Sequence, residues 1–144
     1  MTIAKLLLID DETAFLDAMA RRLQKRDFDI LTATSGMEAM EVLSNDSEKI
    51  EVVILDVKMP GMDGIETLVE IKRKYPLIEV VMLTGHATVS SAIDGMKQGA
   101  FDYLMKPCDM DVLVAKVNEA AAKKRSHEEK IIEARLREIT TRHA

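Results

Sequence analysis

Val52-Val53-Ile54-Leu55-Asp56 is an apolar run of four that ends on a carboxylate, and a short loop later comes Asp63-Gly64-Ile65-Glu66. A run this short and unbroken predicts a strand buried on both faces. An aspartate three residues ahead of a glutamate has the spacing that starts a helix, and Ile65, Leu68, Val69 and Ile71 continue it at helical intervals. The same unit recurs outward from this stretch. Apolar runs lie at 6–9, 28–31, 80–83 and 103–105, each about 22 to 28 residues from the next. Ala14, Phe15, Ala18, Met19 and Leu23 form a helix face between the first two. Ser35-Gly36-Met37-Glu38 opens a second helix, and Gly99 sits where the fourth should stop. Strand then helix, five times over, predicts a doubly wound α/β fold. Its sheet is five-stranded and parallel, a (βα)5 unit of flavodoxin-like strand order 2-1-3-4-5, with strand 2 at an edge.

Composition agrees with one such domain. A chain of 144 residues buries roughly 68–70% of its unfolded surface and needs no disulfide to do so. It is 47% hydrophobic and 31% charged, which excludes wholesale disorder. No apolar run approaches the length of a bilayer span, and Asp10 arrives too early for a secretory signal, so no membrane contact is expected. A single cysteine, Cys108, points to the cytoplasm and is expected to begin helix 5. With a net charge of −5, no basic block and no tryptophan, direct nucleic-acid binding is not expected. Ten methionines are scattered along the chain and read as core filler.

The pattern changes after Asp109. Leu113, Val114 and Val117 make an ordinary helix face, but no Gly or Pro interrupts 108–144. Between Lys123 and Glu138 stand six Lys/Arg and four Glu, with Ile131, Ile132, Leu136 and Ile139 as apolar remainder. The expected division is a domain over 1–122 and a charged helical extension or linker over 123–144. That extension reads either as a solvated tail or as a short coiled-coil or signal-transmitting helix.

In an open parallel sheet, ligands bind beyond the carboxyl ends of the strands. Strand 1 runs into Asp10-Asp11, strand 3 into Asp56, strand 4 into Thr84 and strand 5 into Lys106-Pro107. Three carboxylates, a hydroxyl and an ammonium therefore converge on one rim. Two unit charges 4 Å apart repel by about 4 kcal/mol at an effective dielectric near 20, so the cluster calls for a cation. Lys106 offsets one charge, and a hard divalent ion held by carboxylate oxygens, Mg2+, would balance the rest. Such a site suits an incoming phosphoryl group, with Asp56 as nucleophile. Thr84 and the open backbone N–H at Gly85 would bind its oxygens.

Asp10-Asp11, Asp56 within Ile54-Leu55-Asp56-Val57-Lys58-Met59-Pro60-Gly61-Met62-Asp63-Gly64, Leu83-Thr84-Gly85 and Lys106-Pro107 together resemble the receiver domain of bacterial two-component response regulators. The likeness covers residue 4 to about 122. The stretch from Leu83-Thr84-Gly85-His86-Ala87-Thr88-Val89 to Gly99-Ala100-Phe101-Asp102-Tyr103-Leu104 is similar to receivers of the nitrogen-regulator and dicarboxylate-transport type. In those proteins an ATPase domain and a DNA-binding domain follow.

The resemblance implies a phosphorelay switch in which Asp56 takes a phosphoryl group from a sensor histidine kinase or phosphotransfer protein. It implies Mg2+ bound by Asp11, Asp56 and the backbone carbonyl of Lys58, with Asp10 acting through water. Lys106 would pair with the phosphoryl oxygens, and a cis peptide would precede Pro107. Thr84 and Tyr103 would be the switch pair that reshapes the helix 4–strand 5–helix 5 face. Lys58 and His86 would tune the lifetime of the phosphorylated state. Such a chain catalyses its own phosphorylation and dephosphorylation and is not an enzyme towards external substrates. A homodimer through helix 5 or the 123–144 tail is a further expectation.

Rival readings stay open at this point: a non-phosphorylated interaction scaffold of the same fold, an excised N-terminal part of a larger transcriptional regulator, or a hydrolase. Asp10-Asp11-Glu12-Thr13 has the wrong spacing for the Asp-x-Asp of aspartate-nucleophile phosphatases. An acidic triplet after strand 1 would also repel the phosphate of FMN. His127-Glu128 lacks the rest of a kinase's phosphorylated-histidine motif.

Overall fold

A computed structural model describes residues 4–57, 63–85 and 89–143. Strands and helices alternate throughout: β1 (Lys5–Ile9), α1 (Thr13–Gln24), β2 (Asp29–Ala33), α2 (Gly36–Asp46), β3 (Val52–Leu55), α3 (Gly64–Lys74), β4 (Glu79–Thr84), α4 (Val89–Lys97), β5 (Asp102–Met105) and α5 (Met110–His143). The strands form one parallel sheet in the order β2-β1-β3-β4-β5, with Leu7 level with Leu31 and Val53, and Met82 level with Tyr103. This is the doubly wound arrangement expected from the alternation.

Alternation of side chains across the strands divides the core in two. Leu6, Leu8, Val52, Ile54, Val81 and Leu83 point to the side covered by α1 and α5, where they meet Leu16, Leu23, Leu113 and Val117. Leu7, Ile9, Val53, Leu55, Val80 and Met82 point to the other side, where they meet Ala39, Leu43, Leu68 and Ile71. Truncating any fully buried leucine here to alanine would cost about 2–5 kcal/mol.

The helix starts follow the sequence. Ser35 Oγ accepts from the Glu38 N–H at 3.1 Å, and Asp63 Oδ1 accepts from the Glu66 N–H at 2.9 Å. The Glu38 carboxylate takes the Thr34 hydroxyl. Helix α4 ends as Gly99 adopts φ +102°, with the Ala100 N–H reaching back to the Gly95 carbonyl. Helix α5 starts at Met110, two residues later than the cysteine expected to open it. Asp109 caps it, accepting at Oδ1 from the Asp111 N–H, and Cys108 lies in the loop just before it. The Lys106–Pro107 peptide is cis.

Helix α5 continues without a break for 34 residues, about 51 Å. Lys124 is 6% exposed against the foot of the sheet. Beyond it Ile131, Ile132, Leu136 and Ile139 are exposed. No helix among the described residues is long and apolar enough to cross a membrane.

Candidate functional site

Asp10, Asp56 and Lys106 are each the first residue past a strand, and the sheet's own hydrogen bonding still holds them. The Asp10 N–H donates to Ala33 O, the Asp56 N–H to Ile9 O and the Lys106 N–H to Thr84 O, all at 2.9–3.1 Å. The backbone under the site is thus as fixed as the strands themselves. Asp10 and Asp56 are buried, at 3% and 2% exposed, whereas Asp11 stands in solvent.

The carboxylates converge as the rim reading expected, and a fourth joins them. One oxygen each from Asp10, Asp11, Glu12 and Asp56 lies within 4.8 Å of all the others. Lys106 Nζ reaches across to Asp10 Oδ2 at 2.6 Å and approaches Glu12 Oε1 at 3.7 Å. The other oxygen of Asp10 accepts from the Glu12 N–H at 2.9 Å, which draws the Glu12 backbone towards the cluster. Glu12 was not among the residues expected at the rim. The signal was its place in the Asp10-Asp11-Glu12 run, but it does not directly follow a strand.

The donor set fits a hard divalent cation. Oxygens sharing one Mg2+ at 2.0–2.1 Å stand about 3 to 4 Å apart, so small side-chain adjustments would bring this cluster onto a single ion. Lys106 offsets part of the charge that these acids bring together, and a divalent ion would offset more.

Thr84 is fully buried at the end of β4, beside the site, with its carbonyl on the Lys106 N–H. Gly85 is exposed, and among the described residues the nearest neighbour of a methyl group built there is Lys106 Cβ at 3.9 Å, which leaves the backbone open to a ligand on that side. Tyr103 does not reach the acidic cluster. Its half-buried ring packs against the core that includes Met82, its partner on β4, and its hydroxyl shares a 3.1 Å hydrogen bond with Ser91 Oγ of α4. Lys58 and His86 lie outside the described residues. Next to the site, burial and the nearby Asp109 carboxylate push the Cys108 thiol above its ordinary pKa.

Residues 6–118 match the response regulator receiver domain family. Among curated proteins, the chain is 37% identical over 117 residues to the transcriptional regulatory protein GlrR of Escherichia coli strain K12, covering 81% of this chain and 26% of that protein. It is 36% identical over 113 residues to the DNA-binding transcriptional regulator NtrC of the same strain, covering 78% and 24%. The chain thus spans about a quarter of the length of these relatives. Among solved structures, a response regulator receiver domain protein from Clostridium thermocellum superposes with a TM-score of 0.82 at 39% identity, covering 85% of this chain and 98% of that one. A response regulator from Burkholderia pseudomallei, solved with a phosphorylated aspartic acid, calcium ion and citrate, superposes with a TM-score of 0.74 at 26% identity, covering 87% and 72%.

Proposed function

The chain belongs to the response regulator receiver domain family, with relatives of the NtrC type, and on that premise we propose that it is a phosphorylation switch with Asp56 as phosphoacceptor. The observation that carries this reading is the gathering of Asp10, Asp11, Glu12 and Asp56 around one point, with Lys106 at its edge. A scaffold would gain nothing from holding these charges together.

A carboxylate oxygen of Asp56 attacks phosphorus in line, forming the O–P bond of an acyl phosphate as the donor's P–N bond to histidine breaks. Asp10, Asp11 and Asp56 are the groups that would hold Mg2+, with the Lys58 carbonyl as a further ligand implied by the family. Mg2+, when bound, neutralises charge on the transferring phosphoryl oxygens. Lys106 exchanges its Asp10 contact for a phosphoryl oxygen, and the Thr84 hydroxyl and Gly85 N–H receive the others.

Thr84 and Tyr103 form the switch. Thr84 turns towards the phosphoryl group, and the Tyr103 ring gives up Ser91 and turns inward. That movement alters the α4–β5–α5 face, where Ile93, Met96, Met105 and Val112 are exposed. A pre-existing equilibrium between the two arrangements is thereby shifted. The partner upstream is a sensor histidine kinase or phosphotransfer protein. Residues 123–143 form the outgoing helix, and their exposed isoleucines and leucine suit pairing with a second copy.

Borohydride trapping tests the assignment. After incubation with acetyl phosphate and Mg2+, reduction of an acyl phosphate converts the modified aspartate to homoserine, and peptide sequencing should find it at position 56. Homoserine at another position, or at none, contradicts the reading.

A further inference from the structure

Among the described residues, Lys106 has three partners of two kinds. Asp10 at 2.6 Å and Glu12 at 3.7 Å are carboxylates of the acidic cluster. The third is the face of Phe15, whose ring centroid lies 3.9 Å from Nζ, well inside the range of a cation–π contact. Phe15 sits in the first turn of α1, half-buried against the core on the α1/α5 side, so packing fixes its ring. The ammonium end of Lys106 is thus held from below by an aromatic face and from the side by acids.

We infer that Phe15 is a positioning residue for Lys106, keeping the ammonium at the rim when the carboxylates turn to a metal ion. The inference rests on the phosphoacceptor reading and deepens it. The two kinds of partner respond differently to a divalent cation. A hard ion recruits carboxylate oxygens and has no use for a phenyl ring. Cation binding therefore weakens the hold of Asp10 and Glu12 on Lys106 and leaves the hold of Phe15 intact. Lysine's four-carbon stem is flexible, and an ammonium released by its acids would spread over many rotamers. The ring keeps it within reach of a phosphoryl group arriving at Asp56. Phe15 touches neither the phosphoryl group nor the metal, so it acts only through Lys106.

The test compares the native chain with Phe15→Leu, which keeps apolar volume but removes the ring face, and with Phe15→Tyr, which restores it. With acetyl phosphate as donor at saturating Mg2+, Phe15→Leu should lower the maximum phosphorylation rate by about three- to tenfold. The half-saturating Mg2+ concentration should stay unchanged, and Phe15→Tyr should recover the native rate. A spectroscopic arm reads the contact itself. In protein carrying labelled lysine, the ε-methylene protons of Lys106 should be shifted upfield by the ring, should keep that shift when Mg2+ is added, and should lose it in Phe15→Leu.

A native rate in Phe15→Leu, even with a lowered urea midpoint, reduces Phe15 to a packing residue and overturns the inference. Loss of the upfield shift on adding Mg2+ overturns it as well. If the native chain accepts no phosphoryl group at all, the phosphoacceptor reading fails separately, and the Mg2+ resistance of the ring shift alone decides whether Phe15 holds Lys106.

Discussion

Arg125 of α5 grips Glu51 through two nitrogens, Nη2 to Oε2 at 2.7 Å and Nε to Oε1 at 3.3 Å. Glu51 stands at the foot of β3, whose other end carries Asp56. The neighbouring strand repeats the pattern. Glu79 at the foot of β4 is paired with Lys72 at 3.0 Å and with Lys123 at 3.1 Å, and the other end of β4 carries Thr84. The first turn of α5 past residue 122 is thus fastened to the feet of the two strands that lead to Asp56 and Thr84.

That fastening predicts how the tail leaves the domain. The double substitution Lys123→Ala, Arg125→Ala should raise amide hydrogen exchange across 123–130 while leaving 110–120 protected. Arg125 and Lys123 are each about half exposed, so global stability should fall by only about 1 kcal/mol, with a smaller difference in high salt. Unchanged exchange in the tail would show that Lys124 burial holds it without the ion pairs.

Glu79 is a stronger case because its side chain is only 4% exposed. Lys72, its nearer partner, also donates to the carbonyls of Pro76 at 2.8 Å and Ile78 at 3.0 Å. Lys123 adds an ion pair to Oε2 without hydrogen-bond alignment. Glu79→Ala leaves Lys72 with those carbonyls but without a counter-charge, and should cost about 1–3 kcal/mol in urea unfolding. Glu79→Gln, which keeps an acceptor for Lys72, should cost less than the alanine variant.

Gly64 answers to geometry more than to conformation. A methyl group built on it would lie 2.3 Å from the Asp56 carbonyl oxygen and 2.4 Å from Val57 Cα, both backbone atoms that cannot step aside alone. Gly64→Ala should destabilise the fold by about 3 kcal/mol or more. It should also slow phosphorylation by displacing the Asp56–Val57 backbone. A native urea midpoint for Gly64→Ala would contradict this packing.

Cys108 supplies a pH prediction. Burial and the nearby Asp109 carboxylate raise its pKa, so less thiolate is present at any given pH than in an exposed cysteine. Iodoacetamide should therefore modify the folded chain more slowly than the urea-unfolded chain at pH 8. The rate should climb with pH to a midpoint above that of the unfolded form. Equal rates at pH 8 would contradict the environment described for it.

Most of the fold was legible because it rests on local patterns. Four-residue apolar runs mark β1, β3 and β4 to within a residue, and Ser35, Asp63 and Gly99 punctuate helices by rules of backbone geometry. Strand β2 reads one residue early, because Phe28 is as buried as a strand residue yet packs from the turn before Asp29. The rim was legible for a topological reason, since the carboxyl ends of parallel strands gather at one edge. Asp10, Asp56 and Lys106 needed only their positions at strand ends. Glu12 and Phe15 were not legible as site residues, because they reach Lys106 from the start of α1 across more than ninety residues of chain. The anchoring of Lys123 and Arg125 was hidden for the same reason, since a charged helical stretch reads as solvated until its partners at Glu79 and Glu51 are placed beside it.

Acceptance of a phosphoryl group by Asp56 is the centre of the account, and intact mass measures it most directly. The native chain and Asp56→Asn are incubated with acetyl phosphate, with and without Mg2+. A single phosphoryl adduct is expected on the native chain with Mg2+, and none without the ion or in the variant. An equal adduct on Asp56→Asn, or no adduct on the native chain under any condition, would contradict it.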